Sequence, residues 1–100
     1  MKLTEEEYQT IEDLAGLNYL PSQIAMYLDV DKKDFIKQIN NPESTISYHF
    51  TRGKLIAEAA VNIKLLENAK SGNITAAQIF QKESRRIEIQ NIRNRTLGIE

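Results

Sequence analysis

Apolar residues recur along this chain at helical spacing from one end to the other. Thr4-Glu5-Glu6-Glu7 has the form of a capping box, and Tyr8, Ile11, Leu14 and Ala15 follow at steps of three and four. That spacing predicts a helix over about 4–16, ended by Gly16 and Asn18. Pro21 suits a first helical position because its missing amide hydrogen would be unpaired there in any case. Ile24, Ala25 and Leu28 then share one face, which predicts a short helix over 21–28. Asp29-Val30-Asp31 reads as a turn, with Asp31 capping a third helix. In that helix Phe35, Ile36 and Ile39 face inward and Lys32, Lys33 and Lys37 outward, before Asn40-Asn41-Pro42 stops it.

After Pro42 there is no further proline. One long helix is expected from Ser44 or Thr45 to about Lys70, ended by Ser71-Gly72, and another from Asn73 or Thr75 to about Thr96. So short a joint predicts an antiparallel hairpin. No segment alternates apolar and polar residues for the length of a strand. The fold class is therefore all-α: an N-terminal trihelical unit over 1–42, then a long helical hairpin with a basic C-terminal tail over 43–100.

The stretch LIAEAAVNIKLL at 55–66 is apolar around most of its circumference, and its polar strip of Lys54, Glu58 and Asn62 is narrow. A helix packed against one neighbour needs an apolar arc of about 100°, and this arc is wider. A second surface must cover it. Self-association is the expectation, with Leu55, Ile56, Ala59, Ile63 and Leu66 as the oligomerisation residues.

Composition narrows the chemistry. Hydrophobic residues make up 41% and charged residues 27% of the 100 residues, which suits a single folded domain. There is no cysteine, so disulfides and thiolate metal sites are excluded, and an acidic N-terminal segment with no long apolar run points to the cytoplasm rather than to secretion or a membrane. His49 is the only histidine, and is read as a surface or helix-start residue. No metal site, cofactor or small-molecule substrate is expected. Without a phosphate loop, nucleophile elbow or acid-base pair, neither is catalysis.

The net charge of −1 hides a gradient, from one base and six acids in residues 1–30 to seven bases and four acids in residues 61–100. The 21–40 segment has helix-turn-helix spacing. Ala25 is small enough for two helices to cross closely, and Leu28, Val30 and Phe35 join a core with the first helix. Asp29 stands where glycine is usual in the turn, and Gln38 where a late core residue is expected. In a DNA-binding unit of this kind the third helix would present Lys32, Lys33, Lys37, Gln38 and Asn40 to double-stranded DNA. A trihelical packing unit with a solvated lysine face is the alternative.

Gly53-Lys54 reads as opening a helix rich in Ala and Leu. Next comes A-x-x-G-N-x-T-A-x-x-x-F, made by Ala69, Gly72, Asn73, Thr75, Ala76 and Phe80. With the helix-turn-helix before it, this order over roughly residues 15–85 resembles the small terminase subunits of tailed phages and prophages. The resemblance implies a non-catalytic DNA-recognition subunit of a genome-packaging motor in the host bacterial cytoplasm. Its helix-turn-helix would engage viral DNA, its hairpins would assemble a homo-oligomeric ring, and a large ATPase-nuclease terminase subunit would receive the DNA. The tail beyond Lys82 matches no motif of that family. Its Arg85, Arg86, Arg93 and Arg95 either complement a helix dipole or contact DNA or an acidic partner. Two other readings stay open: a helical oligomeric scaffold or adaptor that binds only protein, and a phage helix-turn-helix transcription regulator.

Overall fold

The caps foreseen in the sequence delimit five helices in the computed structural model, which describes the backbone of residues 1–96 and the side chains of residues 1–92. They are α1 (Glu5–Gly16), α2 (Pro21–Leu28), α3 (Lys32–Ile39), α4 (Thr45–Lys70) and α5 (Ile74–Thr96). Among the described residues there is no strand. The chain forms two compact units, Met1–Ala59 and Ala60–Glu100. The first takes in the start of α4 as well as the trihelical segment.

In the N-terminal unit each helix start is held by a local bond. The Glu7 amide donates to Thr4 Oγ1 at 3.1 Å while Glu7 Oε1 accepts from the Thr4 amide at 3.0 Å, so two amides that the helix itself leaves unpaired are satisfied. Gln23 Oε1 accepts from the Leu20 amide at 2.9 Å, and Pro21 occupies the first turn of α2. Asp31 caps α3 through the Asp34 amide at 2.8 Å. Ser44 accepts from the Ser47 amide at the head of α4 and donates to the Gln38 carbonyl, tying that helix start to the end of α3.

Two turns need positive φ. Asn18, at 68°, reverses the chain after α1, and Asp29, at 57°, ends α2 in the left-handed region while its amide donates to the Ala25 and Met26 carbonyls. Asp and Asn tolerate this region better than most residues do. The helix-turn-helix bend is therefore made without the usual glycine. Ile11, Ala15, Ile24, Ala25, Phe35 and Ile46 form the core, flanked by Leu3, Tyr8, Leu14, Leu28, Val30, Ile39 and Phe50. Ile46 and Phe50 belong to α4, which is why its start packs with the trihelical segment.

In the second unit, Gly72 takes φ 95° and the Asn73 amide donates to the Asn68 carbonyl, closing α4. Asn73 Oδ1 then accepts from the Ala76 amide at 2.9 Å and opens α5. Asn62, Leu65, Leu66 and Ala69 of α4 are half-buried, as are Ala77, Phe80, Glu83 and Ile87 of α5, with Ala76 buried. These positions lie on one stripe of each helix, the seam expected of a hairpin.

Candidate nucleic-acid interface

Turning inward, α3 buries Phe35 and half-buries Ile36 and Ile39. That register leaves Lys33, Lys37 and Asn40, at i, i+4 and i+7, exposed on one outward face, with Lys32 exposed beside it at the helix start. Gln38 is half-buried and lies off this face, and its carbonyl accepts from Ser44 Oγ at 2.5 Å. Four of the five residues expected to meet DNA are thus open to solvent, and Gln38 is partly withdrawn.

The electrostatics of this face are those of unneutralised cations. Among the described residues none of Lys32, Lys33 and Lys37 forms a salt bridge. Asp31 spends a carboxylate oxygen on the α3 cap, and Asp34 is half-buried. Lys32 and Lys33 sit in the first turn, where the helix dipole opposes positive charge, and Lys33 and Lys37 repel each other across one turn. Each effect costs a few tenths of a kcal/mol to about 1 kcal/mol.

The crossing of α1 and α4 holds a charged cluster that the sequence pattern does not announce. Glu12 is 5% exposed. Its Oε2 is 2.6 Å from His49 Nδ1, and its Oε1 accepts from Arg52 Nη1 at 2.5 Å. The His49 ring stacks on Tyr8 at 4.6 Å between centroids and meets Tyr48 edge-on at 5.1 Å. His49 is thus near the start of α4, one of the two places expected of it, but its side chain is half-buried at a helix crossing and not on the open surface. The available signal is Glu12 itself, a carboxylate beside Ile11 and one turn from Tyr8 on an apolar stripe, where a charge requires partners.

Gly53 does not open a helix; it lies inside α4. A Cβ there would sit 2.5 Å from the Glu12 Cα and 2.7 Å from its carbonyl carbon, so the missing side chain is what lets the two backbones touch. Gly16 lies across the same crossing, where a Cβ would come 3.1 Å from the Gly53 carbonyl oxygen.

Of the residues expected to oligomerise, Leu55, Ile56 and Ala59 are exposed within the first unit and Ile63 within the second, whereas Leu66 lies on the half-buried stripe. Pro42, Tyr48, Thr51, Arg52 and Leu55 also line an open groove of about 500 Å³ in the first unit. On α5, Arg85 is exposed and Arg86 Nε donates to Glu83 on the same helix at 3.1 Å, while the side chains of Arg93 and Arg95 lie outside the described residues. Among the described residues, no cluster of three or more His, Cys, Asp and Glu is placed to hold a metal, and no helix is long and apolar enough to cross a membrane. No family model matches the sequence, and neither a curated protein nor a solved structure matches the chain.

Proposed function

We propose that this chain is a non-catalytic DNA-binding subunit of the small-terminase kind. It engages double-stranded viral DNA through α3, assembles as a homo-oligomeric ring through the apolar residues of α4, and passes the DNA to a large ATPase-nuclease subunit in the host bacterial cytoplasm. The observation that carries this reading is the lysine face of α3. Three exposed cations follow a helix-turn-helix bend and no described carboxylate pairs with them; Lys32 and Lys33 stand in the first turn, where the helix dipole opposes positive charge, and Lys37 in the last, where the dipole favours it. A polyanion supplies the missing partner.

One copy brings few cations to a duplex, and the chain as a whole is slightly acidic. The exposed Leu55, Ile56, Ala59 and Ile63 support the second half of the reading, because subunits gathered through them repeat the lysine face along one DNA molecule. The test combines the solution mass of the pure protein, by light scattering, with anisotropy titrations of a labelled 30-base-pair duplex at 50 and 200 mM salt. An assembly larger than a dimer that binds DNA, and weakens steeply with salt, is expected. Binding by a dimer would instead favour a transcription regulator. An assembly that ignores DNA at both salts would mean a scaffold or adaptor.

A further inference from the structure

We propose that the outward face of α5 is a docking site for α1 of a second copy of this chain, so that copies join head to tail. The proposal deepens the assembly reading above and rests on it. Opposite the half-buried Phe80 and Ile87, α5 exposes Gln78, Lys82, Arg85 and Ile89, at i, i+4, i+7 and i+11. Gln78, Lys82 and Arg85, with Gln81, line an open recess of about 240 Å³. Neither Lys82 nor Arg85 forms a salt bridge among the described residues. Of the neighbouring carboxylates, Glu83 is half-buried and holds Arg86, and Glu88 lies about a quarter of a turn to the side.

The chain itself carries the complement. Opposite the buried Ile11 and Ala15, α1 exposes Glu6, Gln9 and Asp13 at i, i+3 and i+7, and Leu17 follows at the helix end. Neither Glu6 nor Asp13 forms a salt bridge among the described residues; Asp13 accepts only from Gln9, at 2.9 Å. The steps from Glu6 to Asp13 and on to Leu17 equal those from Gln78 to Arg85 and on to Ile89. Laid side by side in one direction, the two helices therefore set Leu17, 68% exposed, on Ile89, 51% exposed, with two carboxylates along two cations. A two-fold contact through either face would instead oppose like charges. Attraction exists only between the unlike faces, and such a heterologous contact closes into a ring or continues as a filament. Exposed ion pairs contribute little energy singly, so this contact sets direction and register while the apolar residues of α4 supply buried area. The lysines of α3 stay open for DNA.

The experiment follows mass against protein concentration by light scattering at 50 mM salt, for the full chain and for Glu6→Lys/Asp13→Lys and Lys82→Glu/Arg85→Glu. Each variant alone should need at least tenfold more protein than the parent chain to assemble, because like charges then face each other. An equimolar mixture of the two should regain the parent's assembly, since every contact between unlike copies is again attractive. If circular dichroism shows that a reversed variant has lost its helices, the neutral pairs Glu6→Gln/Asp13→Asn and Lys82→Gln/Arg85→Gln replace it, with a threefold shift expected. Folded variants that assemble as the parent does, or a mixture no better than its components, overturn the inference and leave assembly through α4 standing. Lost DNA binding in Lys82→Glu/Arg85→Glu at unchanged mass overturns it too, and gives the face to DNA. A parent chain that stays monomeric removes the ring reading as well.

Discussion

Glu12 carries a charge into the interior of the N-terminal unit, and the two hydrogen bonds it accepts make that placement tolerable. Its partners differ in what they lose if it is removed. The Arg52 side chain is 47% exposed and can turn to water, whereas that of His49 is 23% exposed and held against Tyr8. Glu12→Ala should therefore cost about 2–3 kcal/mol, combining the missing charge-assisted bonds with an unfilled space, and Arg52→Ala about 1 kcal/mol or less after solvent screening. Urea denaturation of both variants checks the order, and equal losses would show that the carboxylate has no more at stake than a surface pair. Gly53→Ala sets two effects against each other. Alanine improves helix propensity by about 1 kcal/mol, but its methyl must displace Glu12 backbone atoms, and overpacking of this kind costs about 1–3 kcal/mol or more. Backbone cannot rotate away as a side chain can, so the net effect should be destabilising, read as a lower melting temperature. A rise in melting temperature would mean that the two helices separate freely.

At the scale of helices, what is legible in the sequence is what is decided locally. Thr4 with Glu7, Pro21, Asp31, Ser44 and Asn73 mark boundaries through groups within a few residues of one another, so all five helices are foreseen nearly to their ends. The lysine face is legible too, since helical period decides which residues oppose Phe35 and Ile39. The crossing of α1 and α4 is not, because Glu12 and His49 are 37 positions apart and a glycine within a periodic pattern marks either a helix end or a close approach. Gln38 is half-buried at the position where helix-turn-helix spacing expects a late core residue, so its burial follows that spacing and not its place among the DNA-facing residues. The apolar excess of α4 is visible as composition, and the structure leaves Leu55 at 63% and Ile63 at 58% exposure within their own units. Because neither is needed for the packing of its unit, Leu55→Glu and Ile63→Glu should keep the helical circular-dichroism signal. Each should nevertheless lower the solution mass, since an unpaired charge buried between subunits costs several kcal/mol. Two variants with unchanged mass would make this face a solvent surface and leave a ring without support.

For the whole molecule, charge decides where DNA is held, and the chain has two basic regions with opposite expectations. On α3 the lysines are few, flanked by Asp31 and Asp34 and followed by a capped helix end. The C-terminal region carries more arginine, and arginine suits phosphate and carboxylate partners alike. Arg86 already shares its guanidinium with Glu83, which lowers what it can offer to DNA. Assembly multiplies both regions equally, so copy number alone does not choose between them; the choice rests on what each loses when its charge is removed. If α3 holds the duplex, the double variant Lys33→Ala/Lys37→Ala should weaken binding at 150 mM salt by tenfold or more. Its salt slope should fall by about 0.9 for each phosphate left without a lysine, and its mass should not change. Arg93→Ala/Arg95→Ala should then bind DNA within about threefold of the parent chain. The reverse result, binding abolished by the arginine pair and unaffected by the lysine pair, would assign the DNA contact to the C-terminal region. The bend at Asp29 would then serve only to pack α2 against α3 beneath the start of α4.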